Sequence, residues 1–110
     1  MIDVSVPGAH VEGEIYTLDD GILLLEDGML HVSVAGYSID VSWWPEHDPH
    51  GEYVITVYRD LWENQLREVS TGDPYEASEI VKSLAGWLAG PVVNFPASTT
   101  VTEDLYLVRA

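Results

Sequence analysis

Two neighbouring stretches of the chain, residues 29–35 and 37–44, alternate apolar side chains with polar or small ones. Successive side chains of a β-strand point to opposite faces, so each stretch predicts a strand with one buried face and one wet face. Gly36 interrupts the alternation between the two stretches, and the second stretch is typical of an antiparallel strand. The predicted buried side chains are Leu30, Val32, Val34, Tyr37, Ile39, Val41 and Trp43.

Further strands are predicted on both sides of these two stretches. Residues 2–6, 11–18 and 22–26 are rich in β-formers, and acid–glycine turns at residues 19–21 and 26–28 flank the third of them. Residues 52–60 are apolar on both faces, which indicates a central strand. Residues 61–70 are left open between a strand extension, a short helix and a hairpin, and residues 91–96 and 101–109 predict later strands.

Residues 74–89 carry the signature of an α-helix. Asp73 is placed to cap the first turn, Pro74 suits the first helical position, and Glu76 sits at the capping-box position. Apolar residues then recur with helical spacing, and Gly90-Pro91 ends the pattern. The apolar stripe is Ala77, Ile80, Val81, Leu84, Ala85 and Leu88.

This order of elements predicts an α+β fold. Runs of consecutive strands favour an antiparallel, meander-like sheet of about five to seven strands, with one main helix (about residues 74–89) packed on one face. At 110 residues the chain has the length of one domain, so residues 1–110 are expected to form a single acidic α+β domain.

The chain is strongly acidic. It has 19 Asp and Glu against 4 Lys and Arg, a formal net charge of −15, and no Lys or Arg occurs before Arg59. A negative surface repels nucleic acid and anionic lipid and attracts basic proteins. We therefore expect no direct nucleic-acid binding and no membrane binding. The alternative is that the acidity serves solubility or salt adaptation only.

The sequence lacks the features of several other classes. Cysteine is absent, which excludes disulfides and thiolate metal sites and fits a reducing cytoplasm. The N-terminal residues have no basic region followed by an apolar one, so no signal peptide is expected. No phosphate loop, nucleophile elbow or zinc-protease motif occurs, and we expect neither an enzyme nor a bound cofactor.

Two local groups of residues are candidate sites. The loop 46–50 contains His47 and His50 among carboxylates, which could hold a divalent ion or form a solvated turn. His10 and His31 are expected to face solvent or a sheet edge. Trp43 is expected in the core. Trp44 shares the wet strand face with Asp40 and is either an exposed interface anchor or covered by the following loop or by the helix.

These observations favour a non-catalytic binder whose acidic surface docks a basic protein. The chain resembles toxin-neutralising immunity proteins and nucleic-acid-mimicking inhibitors in size, charge and strand–helix layout only. The alternatives are a small-ligand or metal-binding domain using the loop 46–50 or the sheet–helix crevice, and a small bacterial domain that is acidic for solubility. The candidate partner-binding residues are Asp19, Asp20, Glu26, Asp27, Asp40, Trp44, Glu46, Asp48 and Glu52.

Overall fold

A computed structural model of the chain describes residues 1–59 and 65–89. Within these residues it shows an α+β fold, a five-stranded antiparallel sheet with one α-helix packed against it. Each strand pairs with its neighbour in sequence, as a meander requires. The elements are β1 (His10–Gly13), β2 (Leu30–Val34), β3 (Tyr37–Trp44), β4 (Glu52–Arg59), β5 (Gln65–Thr71) and α1 (Pro74–Ala89).

The two faces of the sheet differ in chemistry. The inner face, which packs against α1, collects the apolar side chains that alternate along β2, β3 and β4. The ladder places Ile39 opposite Val57 and Trp43 opposite Tyr53, so neighbouring strands contribute to one continuous apolar surface. The other face, called the outer face below, carries the alternate side chains. β4 lies between β3 and β5, which confirms its predicted internal position.

Helix α1 completes the core. It packs across β2, β3, β4 and β5 and buries the predicted apolar stripe. Side chains of Val, Leu and Ile buried in this way stabilise the fold by about 1.5–3 kcal/mol each. No helix within residues 1–59 and 65–89 has the length and apolar character needed to cross a lipid bilayer.

Polar groups fix the start of α1. The Asp73 carboxylate accepts hydrogen bonds from the backbone N–H groups of Tyr75 (2.9 Å) and Glu76 (3.4 Å). These bonds satisfy donors that have no partner inside the helix, which confirms the predicted cap. The Glu76 side chain accepts from the Thr71 hydroxyl, and the Asp73 N–H donates to that hydroxyl. In a capping box the Glu76 side chain would accept directly from the Asp73 N–H, whereas here the Thr71 hydroxyl links the two.

The prediction of a strand at residues 22–26 is wrong. Ile22–Leu24 forms a 3₁₀ turn, and a second one, Leu18–Asp20, precedes it. Local bonds replace a ladder here, because the Leu24 N–H donates to Gly21 and the Leu25 N–H to Ile22. Leu25, which follows the turn, is fully buried, while Leu23 within it is 72% exposed. Gly21 has a φ of 124°, which side chains other than glycine rarely adopt.

The N-terminal strands are shorter than predicted. Of residues 2–6, only Ile2 makes a β-bridge, with Ile15, and the predicted strand 11–18 is reduced to β1. The sequence leaves a strand extension, a short helix and a hairpin open for residues 61–70. The described part of this segment forms a strand, β5 (Gln65–Thr71). The strands predicted at residues 91–96 and 101–109 lie outside the described residues.

Candidate functional site

A row of polar side chains crosses the outer face from β1 to β5. The ladder registers pair Glu12 with His31, His31 with Asp40, Asp40 with Thr56, and Thr56 with Glu68. Residues opposite each other in antiparallel strands share a face, with Cβ atoms about 4.5–5.5 Å apart. The register therefore brings three carboxylates and one imidazole, contributed by four strands, into a single line.

The centre of this row is a histidine–carboxylate pair. His31 Nδ1 lies 2.5 Å from Asp40 Oδ1, and His31 Nε2 lies 3.2 Å from Ser33 Oγ. His31, expected to face solvent or a sheet edge, lies on the outer face but is only about one third exposed. β2 is an internal strand, and the imidazole is about two thirds buried between β1 and β3. The cause is the β2–β3 register, which sets His31 opposite Asp40.

Asp40 is the most buried carboxylate of the outer face, with 6% of the residue exposed. Burial raises its pKa, and the hydrogen bond and charge of His31 oppose that shift. Its Oδ2 atom is buried and has no hydrogen-bond partner within the described residues. Burial is the main cause of a raised pKa at Tyr58, and the negative charges of Asp40 and Asp27 add to it. These three groups therefore interact electrostatically on the same face.

Ser33, His31 and Asp40 are connected in the order of a nucleophile, a base and an orienting acid. Acyl transfer also needs N–H donors aimed at a developing oxyanion. Ser33 lies in β2, which is hydrogen-bonded to β1 on one side and β3 on the other, so the backbone N–H groups around Ser33 are used in the ladders. The arrangement holds an imidazole in place and does not supply an oxyanion site around Ser33.

Trp44 forms the apolar part of the outer face. It ends β3, points away from the core by strand alternation, and is 64% exposed. The alternative in which the next loop or the helix covers Trp44 therefore does not hold within the described residues. Glu52 lies directly opposite Trp44 in the β3–β4 ladder and is exposed. An exposed indole beside a carboxylate suits contact with an Arg or Lys side chain.

The turn 26–28 and the loop 45–51 bring more acids to this end of the outer face. The Ser42 hydroxyl donates to Asp27 (2.6 Å), which sets that carboxylate beside the outer face of β3. The Asp27 N–H donates to the Glu46 carboxylate (2.9 Å). His47 Nε2 lies 3.4 Å from Glu26 Oε2. Contacts between the turn 26–28 and the loop 45–51 therefore hold both Glu26 and Glu46 at the end of β3.

The loop 45–51 shows no metal centre. Within residues 1–59 and 65–89, no group of three or more His, Asp or Glu side chains has a geometry that could hold a metal ion. Asp48 is committed to shaping the loop, because its carboxylate accepts from the His50 N–H and its carbonyl accepts from Trp43 Nε1 (2.8 Å). The metal-binding alternative for this loop therefore has no structural support in the described chain.

The structure separates Asp19 and Asp20 from the other candidate residues. Both belong to the 3₁₀ turn Leu18–Asp20, on the α1 side of the sheet. Asp20 bonds the N-terminal ammonium of Met1 and the N–H and hydroxyl of Thr17, and that ammonium is the largest cause of its lowered pKa. Neither residue reaches the outer face.

Positive charge lies elsewhere in the described residues. Arg59 stacks over the ring of Tyr37 at 5.8 Å, and both start from the inner side of their strands. Arg67 pairs with Val57 in the β4–β5 ladder, so it also leaves the inner side. Lys82 lies on α1, 3.4 Å from Glu79. Within residues 1–59 and 65–89, the outer face thus has no Lys or Arg to offset its acids.

Sequence reasoning did not include Glu68 in the site and gave His31 no role in it. Glu68 lies in a segment whose secondary structure was left open, and its place opposite Thr56 follows only from the β4–β5 register. His31 did carry a signal, because it alternates outward in the predicted strand that directly precedes that of Asp40. Pairing these two strands as a hairpin with its turn at Ala35-Gly36 places His31 opposite Asp40.

Comparison with protein-family models, with curated proteins and with solved structures finds no match to this chain.

Proposed function

We propose that this protein is a non-catalytic binding module whose acidic outer face docks a basic protein. One observation supports this proposal. Within residues 1–59 and 65–89, carboxylates from several strands and the exposed Trp44 share one face of the sheet, and no Lys or Arg lies on that face. The acidic outer face comprises the exposed Glu12, Asp27, Glu52 and Glu68, with the buried Asp40 among them.

Trp44 and the carboxylates of this face have different roles in the proposed binding. Trp44 supplies the apolar anchor, since exposed tryptophans are enriched among the residues that dominate binding energy. The surrounding carboxylates attract Lys and Arg of the partner and chiefly raise the association rate. A cytoplasmic basic toxin or nucleic-acid enzyme has the required charge, and blocking it would make this chain an inhibitor or immunity-type protein. The same negative potential disfavours direct binding of nucleic acid.

Two charge-matched double variants test the proposal. Glu52→Gln with Glu68→Gln removes two carboxylates from the acidic outer face. Asp19→Asn with Glu79→Gln removes two exposed carboxylates from the α1 side and is the control. Each variant and the wild type serve as bait for proteins of the source cells at low salt, and elution is followed as salt is raised.

We expect the wild type and the control to retain the same basic protein and to release it as salt rises, because screening weakens exposed charge pairs. The outer-face variant should retain much less of it. Equal loss in both double variants would mean that total charge matters and the face does not. Capture that resists salt, or no capture of a basic protein by the wild type, would also contradict the proposal.

A further inference from the structure

A cavity of about 270 Å³ opens on the α1 side of the sheet, away from the acidic outer face. It lies where the inner face, the 3₁₀ turn Leu18–Asp20 and the start of α1 meet. Its size is near the lower end of the range for small-ligand pockets. The lining includes Leu18, Asp19, Trp43, Tyr53, Gly72 and Pro74.

The floor of this cavity is aromatic and fixed in place. Trp43 and Tyr53 pack edge to face, with centroids 4.9 Å apart and an interplanar angle of 82°. Trp43 Nε1 donates to the Asp48 carbonyl, and the Tyr53 hydroxyl donates to the Tyr16 carbonyl (2.6 Å). Because both polar atoms are already bonded and the two residues are only 3% and 1% exposed, the rings offer the cavity a narrow apolar contact rather than hydrogen bonds.

The charge around the cavity is negative. Asp19 lines it, and none of the lining residues is Lys or Arg. Burial, together with the nearby negative charges of Asp20 and Asp73, raises the pKa of Tyr53 to about 12. The carboxylates of these two residues are engaged, one with the Met1 ammonium and Thr17, the other with the first turn of α1. Asp19 makes no hydrogen bond or ion pair within the described residues, so it is the carboxylate open to a ligand.

We propose that this cavity binds a small organic cation, with its ammonium group at Asp19 and its apolar body against Trp43 and Tyr53. Charge complementarity selects the cation, because the described lining has the unpaired Asp19 carboxylate and no Lys or Arg, and the nearby Met1 ammonium is already paired with Asp20. A neutral molecule of the same shape keeps the apolar contact and loses the ion pair. This site is independent of the acidic outer face and of the partner proposed for it.

The probe is 2-phenylethylammonium, and its uncharged counterpart is 2-phenylethanol. Binding is followed by the amide and indole NMR signals, with the Trp43 indole N–H and the Gly72 amide as reporters of the cavity. We expect the cation to shift both reporters and to bind about fivefold more tightly than the alcohol, the upper range for one exposed ion pair. Asp19→Asn should remove that difference and leave the weaker apolar binding.

Gly72→Leu provides a blocking variant. A Cβ built on Gly72 meets no atom within 4 Å, so the backbone accepts a side chain that takes up room at the cavity wall. Gly86→Leu is the matched control, since a Cβ on Gly86 in α1 also meets nothing within 4 Å. Binding should be lost in the first variant and kept in the second.

Three results would overturn the proposal. Equal affinity for the cation and the alcohol would make this an apolar cavity without charge selection. Signal shifts at Trp44 and the outer face, with Trp43 and Gly72 unmoved, would place cation binding elsewhere. Absence of any saturable shift at millimolar cation would leave the cavity without this ligand class.

Discussion

Trp43 and Trp44 are consecutive residues of β3, yet Trp43 is 3% exposed and Trp44 is 64% exposed. Strand alternation sends the first into the core against Tyr53 and the second onto the outer face opposite Glu52. The Trp43 indole also holds the Asp48 carbonyl, which ties the loop 45–51 to the core. The position of the exposed tryptophan therefore depends on the packing of its buried neighbour.

Gly51 should be sensitive to the addition of a single methyl group. A Cβ on Gly51 would lie 2.5 Å from Trp43 Nε1 and 2.8 Å from the Trp44 carbonyl oxygen, so the loop would have to move. We expect Gly51→Ala to lower the free energy of unfolding by about 1–3 kcal/mol, as overpacking does. Urea unfolding measures the change, and the Trp43 indole signal reports the loss of its bond to Asp48.

Gly72→Ala is the control for this prediction, because a Cβ at that position meets nothing within 4 Å. An alanine at Gly51 that is as stable as one at Gly72, with the Trp43 signal in place, would contradict the packing described for this loop.

Asp40 should make the stability of the fold depend on pH. Burial raises its pKa above the ordinary value of 3.8, so the folded state holds the proton more tightly than the unfolded state does. Its stabilising contribution is then complete below pH 3.8 and is lost as pH rises through the raised pKa. We expect the unfolding free energy of the wild type minus that of Asp40→Asn to fall across this window in urea titrations.

Asp3→Asn removes the same formal charge from an exposed position and serves as the comparison. The difference between wild type and Asp40→Asn should change with pH more than that between wild type and Asp3→Asn, and with the stated sign. A difference that instead grows as pH rises would mean that the charged form of Asp40 is the stabilised one.

The Asp73 cap should matter for α1. Asp73→Ala leaves the N–H groups of Tyr75 and Glu76 without their acceptor. We expect a loss of about 0.5–2 kcal/mol in unfolding free energy by chemical denaturation. Asp73→Ser restores a capping oxygen and should recover most of the loss, whereas equal destabilisation by alanine and serine would show that the carboxylate acts through charge alone.

Local patterns predicted much of the fold. The stripe of α1 and its cap lie within one continuous segment, and the hairpin of β2 and β3 needs only the alternation around Gly36. Residues 22–25 form an unbroken apolar run, so no periodicity distinguishes a strand from the 3₁₀ turn that forms. The β4–β5 pairing shifts register between Val57 and Tyr58 of β4, and Arg67 of β5 starts from the inner side, which obscures the alternation of β5.

The candidate site was predicted in part. Alternation alone predicted that Asp40 and Trp44 share the wet face of β3. The structure places both on the outer face, where Trp44 is exposed but Asp40 is buried between its neighbours. It did not show that Asp19 and Asp20 lie on the α1 side, because the path of the 3₁₀ turns depends on contacts with residues distant in sequence. The row from Glu12 to Glu68 likewise needs four registers at once. Its members could not be gathered from sequence order.

The central claim is that the acidic outer face is the surface that meets positive charge. An NMR titration of the wild type with an oligoarginine peptide at low salt tests this most directly. The account predicts that amide shifts concentrate on outward-facing residues of β3 and β4 around Ser42 and Thr56, include the Trp44 indole, and vanish as salt is raised. Shifts spread evenly over α1 and the sheet, or absent from Trp44, would contradict it.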